Sequence, residues 1–343
     1  MAASISAFRG RVRSIVDDEV REGRRRHVIV LGVDGIPFEL ARHAWPHAHV
    51  TRARSVFPTT SATAWLTSLS GDSVDDHGIP GVVFALDDAG PLVDVYRYRG
   101  SLGEPPAGDL FGDGAARGYT PVAIVGDLED TACTWRDLLV HRAHAVGGHV
   151  FYARGDSEPR LLCDRLVAAI AAALASHDAP CLVWCFVDAD RHIHHHGYDR
   201  AVVELLERID AIAVEWSRDA VVVAHSDHGL VPTRHDPSVA DALERVTATE
   251  GCRMGGAGRT RWLYVAPGSE RRVRDELARS LPASVRIRHA DELFAPGSRA
   301  RRRVGSIVLI ADGEDFLAAD GYRFEHGSLT DGELDAAVAE WRA

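Results

Sequence analysis

His27-Val28-Ile29-Val30-Leu31-Gly32-Val33-Asp34-Gly35 is a nearly unbroken apolar run that stops at an acidic residue and a glycine. A run of this length, rich in β-branched residues and closed by Asp-Gly, predicts a strand over 27–33 buried on both faces, with a turn at its carboxyl end. Outward from it the same alternation repeats. Residues 38–44 read as a helix, 50–57 as a second strand, 62–69 as helical, and 78–86 as a strand or a loop over the sheet. Further on, 122–125 is a strand, 160–176 a helix, 182–187 a strand, 201–216 a helix and 220–224 a strand. The β, α, β, α order predicts an α/β fold with a mainly parallel, doubly wound sheet sandwiched by helices. Ligands of such sheets sit beyond the carboxyl ends of the strands.

The segment 1–26 reads as an Arg-rich, amphipathic leading helix and 27–343 as one domain. Two stretches, about 80–118 and 230–303, read as loop or cap insertions over the site; 87–118 is rich in Gly, Asp and Pro and predicts irregular structure. Arg299–Arg303 reads as a solvated basic face.

At 343 residues and 46% hydrophobic, the chain is long and apolar enough for a full core. A net charge of −11 speaks against a nucleic-acid polymer as partner. A small anionic substrate stays compatible where bound cations reverse the local field. No apolar run is long enough to span a membrane, and Met1–Arg26 lacks the apolar core of a signal peptide. Five scattered cysteines, Cys133, Cys163, Cys181, Cys185 and Cys252, suggest buried thiols and not a disulfide framework. The expectation is a cytoplasmic protein, with no membrane partner and with a homo-oligomer left open. Lys, Asn and Gln are absent, and all 39 basic residues are Arg. That excludes a Walker-type phosphate loop and Schiff-base catalysis.

Chemistry concentrates in separated clusters: Asp34-Gly35, Thr59-Thr60-Ser61 before a helical stretch, Asp188-Ala189-Asp190-Arg191-His192-Ile193-His194-His195-His196-Gly197, Ser226-Asp227-His228-Gly229, and His326-Gly327-Ser328. Each has a bland reading. A strand-end Asp caps the next helix, a Ser/Thr cluster is an N-cap, and a His-rich run is a solvated loop. Taken together, carboxylates and imidazoles at successive strand ends would repel or stay unsatisfied unless cations joined them.

These motifs, in this order, resemble the alkaline phosphatase superfamily, in particular its type I phosphodiesterase and nucleotide pyrophosphatase branch, from about His27 to about Leu334. The resemblance implies two divalent metals, most often Zn2+. One would be held by Asp34, Asp227 and His228, the other by Asp190, His194 and His326; Asp188 with His192 has the same spacing and is the alternative register. Counting back from His77-Gly78-Ile79 places the nucleophile at Ser61, with Thr60 as fallback. The chain departs from that branch where an Asn follows the nucleophile: the position holds Ala64. The backbone N–H near Ala62, or an arginine such as Arg261 in the Gly255-Gly256-Ala257-Gly258 stretch, would then hold the phosphate. The implied activity is hydrolysis of a small-molecule phosphate ester through a phospho-serine, as a phosphodiesterase or nucleotide pyrophosphatase. A phosphomonoesterase, a phosphotransferase or mutase, and a non-catalytic zinc-binding protein are the alternatives.

Overall fold

The computed structural model describes residues 2–87, 90–126, 128, 133–146 and 158–342. The His27–Val33 strand lies at the centre of an eight-stranded sheet, paired in parallel with Cys181–Val187 on one side and Ala220–His225 on the other. Thr120–Ile124 and His144–Val146 extend the sheet beyond Cys181–Val187, both in parallel. On the other flank lie Asp335–Trp341, His49–Arg54 and Ala3–Ser4.

Side chains of the central strand alternate between two cores, as a period of two requires. Val28 and Val30 enter the core built with Trp65, Trp184 and the helices Phe8–Arg21 and Ser61–Ser70. Ile29, Leu31 and Val33 enter the opposite core, covered by Phe38–Ala44, Pro159–Ala175 and Arg200–Trp216. Each of these fully buried aliphatic side chains contributes about 1.5–3 kcal/mol, which is why the run reads as continuous and not alternating. Local chemistry sets the helix starts: Pro159 opens one, and the Asp199 carboxylate caps another by accepting from the Ala201 and Val202 amides at 2.9 and 3.2 Å.

The parallel sheet has one exception. Asp335–Trp341 runs antiparallel to both His49–Arg54 and Ala220–His225. After His326 and the short helix Asp331–Leu334 the chain stands at the carboxyl end of the sheet, so a strand started there without a crossover must run back down.

A second, six-stranded antiparallel sheet has the order Val285–His289, Ile307–Ala311, Thr260–Tyr264, Arg253–Ala257, Val83–Ala85, Leu92–Asp94. The helices Pro237–Glu250 and Glu270–Ser280 back it through a third core. Two stretches far apart in sequence therefore meet in one sheet. The irregular reading of 87–118 fails at Leu92–Asp94, a strand, and at Leu110–Ala115, a helix capped by Asp109; both are too short to show a period, and tertiary pairing decides them.

The solvated reading of Arg299–Arg303 fails at Arg303. Its guanidinium is buried and donates to the Gly78 and Leu102 carbonyls at 2.5 and 2.7 Å. In the leading segment the helix is Phe8–Arg21, and Phe8, Val12 and Val16 belong to the first core. No helix among the described residues is long and apolar enough to cross a membrane. All five cysteines are free thiols, four of them buried.

Candidate metal centre and nucleophile

The three central strands end level: Val33 lies opposite Val187, and Gly32 opposite His225. Asp34, Asp188 to Asp190, and Asp227-His228 therefore leave the sheet side by side. Asp190 opens the helix Asp190–His196, which brings His194 to the same face one turn later. His326 arrives on the loop after Phe324–Glu325, a strand anchored against Val231–Pro232.

The outcome is two groups of three. In each, one ligand atom per residue lies within 4.8 Å of the others: Asp34, Asp227 and His228 in the first, Asp190, His194 and His326 in the second. His228 Nε2 lies 3.1 Å from Asp227 Oδ2 and 3.7 Å from Asp34 Oδ1. His194 Nε2 lies 3.0 Å from Asp190 Oδ2, and His326 Nε2 3.8 Å from Asp190 Oδ1. The His228 and His326 rings stack at 4.1 Å and join the groups.

Surrounding bonds aim these atoms. A carbonyl only accepts, so His194 Nδ1 donates to Phe324 O and His326 Nδ1 to Thr59 O, each at 2.7 Å. Both imidazoles thus point Nε2 inward, the orientation that a backbone bond at the other ring nitrogen gives a metal ligand. Trp65 Nε1 donates to Asp34 Oδ2 at 3.0 Å, and the Gly35 amide to Asp227 Oδ1 at 3.2 Å.

Electrostatically the two groups crowd buried carboxylates together. Burial pushes the Asp34 carboxyl well above its usual range, and the Asp227, Asp190 and Asp188 carboxylates push it further. Burial raises Asp227 too, against the pull of His228. Burial also works against Asp190, but His194 and His326 outweigh it and hold that carboxyl below its usual range. Burial works against the charged form of His194, but Asp190 outweighs it and brings the imidazole up to about 9, whereas burial and His228 press His326 well below its ordinary value. Asp190 Oδ1, Asp227 Oδ2 and His228 Nδ1 are buried without a hydrogen-bond partner. Orphaned, crowded acceptors of this kind fit divalent cations bound by oxygen and imidazole nitrogen.

Ser61 opens the helix Ser61–Ser70 and faces the first group. Its Oγ lies 3.2 Å from His228 Nε2 and 3.4 Å from Asp34 Oδ1. Thr60 points elsewhere: its hydroxyl is fully buried and bonded to Thr63 Oγ1 at 3.0 Å. The alternative pair, Asp188 and His192, joins neither group. Asp188 Oδ1 accepts the Arg191 amide at 3.1 Å, and His192 Nε2 faces Asp199 Oδ2 at 3.1 Å.

A cavity of about 800 Å³ opens over both groups, and Ser61 and Arg261 line it. Arg261 Nη1 donates to the Gly258 and Thr260 carbonyls at 2.7 and 2.9 Å. Tyr96, Trp135, Tyr322 and Glu325 also line the cavity. Sequence spacing gave no signal for the first three, whereas Glu325 adjoins His326 and was open to suspicion.

The glycine run has a packing reason. Gly258 sits at φ +49°, and a Cβ there would fall 2.0 Å from the His326 carbonyl; Gly327, at φ +116°, would meet the Ala257 carbonyl at 2.7 Å. The two loops touch through bare backbone, and the Arg259 amide donates to His326 O at 2.8 Å.

By sequence, no family model and no curated protein matches the chain. Among solved structures, the chain is similar to murine ectonucleotide pyrophosphatase/phosphodiesterase 5 at TM-score 0.68 and 17% identity, over 93% of this chain and 88% of that one. An inactive threonine-to-alanine variant of the murine protein in complex with AMP matches at 0.67 and 17%, over 92% and 87%. Phosphonoacetate hydrolase from Sinorhizobium meliloti in complex with phosphonoformate matches at 0.67 and 18%, over 93% and 90%. The mainly parallel sheet between helices, with the second sheet over its carboxyl edge, is the alkaline-phosphatase-like fold, and the chain has that fold.

Proposed function

We propose that the chain is a metal-dependent hydrolase of small phosphate esters that attacks phosphorus with Ser61 through a covalent phospho-serine. One observation carries this reading: a single hydroxyl, at the start of a ten-residue helix, faces His228 Nε2 and Asp34 Oδ1 beside two three-residue ligand groups. Asp34, Asp227 and His228 would hold one cation, and Asp190, His194 and His326 the other, with the mixed carboxylate and imidazole donors suiting zinc. Bound there, such cations lower the pKa of a coordinated hydroxyl or water and offset charge on the phosphoryl oxygens.

The chain's own residues supply position. Trp65 fixes Asp34, the Phe324 and Thr59 carbonyls fix two imidazoles, and the helix start offers free N–H groups to a phosphoryl oxygen. A cavity of about 800 Å³ is the size class of a nucleotide-like ligand, and the AMP complex of the murine neighbour supports a nucleotide-like diester. One observation favours a monoester instead: Arg97, Arg191 and Arg261 line the cavity and could meet a second phosphate charge. Five free thiols support a reducing, cytoplasmic setting.

Zinc-loaded protein assayed on a nitrophenyl monoester and a nitrophenyl nucleotide diester separates the two substrates. Ser61→Ala is expected to keep zinc and fold and to lose turnover by about a thousandfold or more; turnover near that of the unaltered protein removes Ser61 from the chemistry. Zinc at both groups with no hydrolysis of any ester sinks the hydrolase reading.

A further inference from the structure

A phosphoryl oxygen turned away from the cations needs a donor, and the chain has no Asn, Gln or Lys to give one. Among the described cavity-lining side chains, most neutral N–H and O–H groups are already committed. Trp65 Nε1 donates to Asp34 and Trp135 Nε1 to the Ala62 carbonyl at 2.8 Å. Tyr322 stacks on His194 at 4.1 Å, beside the second group. Close to Ser61, Thr60 and Thr63 bond to each other, and Thr63 to the Ile79 carbonyl.

Tyr96 is different. It lines the cavity with Ser61, and it packs against Trp135, whose indole N–H donates to the Ala62 carbonyl in the first turn of the Ser61 helix. A phenol hydroxyl carries one proton to donate, and this one sits on the cavity wall beside the nucleophile. The ring is held in place: its edge meets Trp135 at 5.2 Å and 90°, and the Tyr96 amide donates to Asp94 Oδ1 at 3.0 Å. Asp94 in turn pairs with Val83 in the second sheet.

We infer that Tyr96 is the neutral donor that grips a non-bridging phosphoryl oxygen next to Ser61, with Trp135 and Asp94 holding it in place. This inference rests on the hydrolase reading and adds a residue to it. Burial, followed by the Asp34, Asp190 and Asp227 carboxylates, pushes the phenol well above its ordinary value, so it stays protonated and able to donate. The second sheet is then more than a roof, because it delivers a group that touches an oxygen of the reacting phosphoryl.

The experiment compares zinc-loaded wild type with Tyr96→Phe, which keeps the ring and removes the hydroxyl. Three quantities are read: kcat/KM on the best ester of the panel, the affinities for orthovanadate and inorganic phosphate, and zinc content with the thermal midpoint. A donor that acts mainly on the transition state is worth about 10²–10³-fold. Both kcat/KM and vanadate affinity are expected to fall by about that factor, phosphate affinity by less than about fivefold, with zinc and midpoint unchanged. Vanadate affinity within threefold of wild type overturns the inference. So does a loss of activity accompanied by loss of zinc, which would make Tyr96 structural. Wild type that loads zinc yet neither hydrolyses an ester nor binds vanadate overturns the hydrolase reading and this inference with it. Wild type that does both, beside an unaffected Tyr96→Phe, overturns only the role of Tyr96.

Discussion

Glu333→Gln should loosen the loop that carries His326 without touching a ligand atom. The Glu333 and Arg259 side chains are 0% and 1% exposed, with Arg259 Nε 3.3 Å from Glu333 Oε1. Glu333 also accepts the Ser328 amide at 2.8 Å and binds the Thr330 hydroxyl, while Arg259 reaches Thr233 Oγ1 and the Gly313 carbonyl, each at 2.8 Å. Together the pair brackets the His326-Gly327-Ser328 turn from both sides. Glutamine keeps the shape but leaves the guanidinium buried without a counter-charge, which costs about 3–5 kcal/mol. An unfolding entropy of about 2.1 cal/mol/K per residue gives roughly 0.7 kcal/mol/K for this chain, so Tm should fall by about 4–7 °C. Thermal unfolding in chelator reads the fold alone. A zinc titration then reads the Asp190 group, whose affinity should drop about 10–100-fold with the displaced His326. The double variant Arg259→Met with Glu333→Leu removes both charges and should be less destabilised than Glu333→Gln. A midpoint within 1 °C of wild type for Glu333→Gln would refute the reasoning, because it would mean that the buried arginine does not need its partner.

Two further outcomes are expected. Chelation should lower the thermal midpoint of zinc-loaded protein, since each site held at a hundred times its Kd contributes about 2.7 kcal/mol; with two sites the drop is about 7 °C, and a midpoint indifferent to chelator rules out the metal centre. At the base of the leading helix, burial opposes ionisation of Glu19, but Arg26 and Arg24 outweigh it and bring its carboxyl down to about 2. A depressed carboxyl stabilises the fold above its ordinary range and loses that contribution as pH falls from about 4.5 to 2. Urea unfolding across that window should be steeper in wild type than in Glu19→Gln, and identical slopes would dismiss the role given to the pair.

The sequence spelled out the central sheet because 27–33 and 182–187 are buried on both faces and so read as unbroken apolar runs. The gathering of acidic and imidazole side chains where those strands stop was legible in the same way, whereas their division into two ligand groups was only what the family resemblance implied. The preference for Asp190 over Asp188 rested on the resemblance and not on the residues themselves. Both pair with a histidine four residues on, and only the helix start at Asp190 sets which pair turns inward. Tyr96 was equally hidden, because a residue delivered by the edge of a second sheet has no fixed spacing from Ser61. Asp335–Trp341 escaped notice because Asp-Ala-Ala-Val-Ala-Glu-Trp carries three alanines and little β-branching; Ala336, Ala337 and Ala339 are fully buried, so small size is what its place between neighbours demands.

That late strand has a bearing on how the chain matures. Ser226, which leads into Asp227, donates its amide to Ala337 O at 3.0 Å, and the Ala337 amide donates back to Ser226 Oγ at 3.0 Å. A nascent polypeptide ending near residue 330 would contain every proposed ligand and the nucleophile, yet its sheet would be divided into two strands and five, with two new open edges exposed to any passing strand. Competence to bind metal should therefore arise abruptly, when the ribosome has delivered the filler strand, and loss of that inner strand should do more harm than loss of the edge strand Ala3–Ser4.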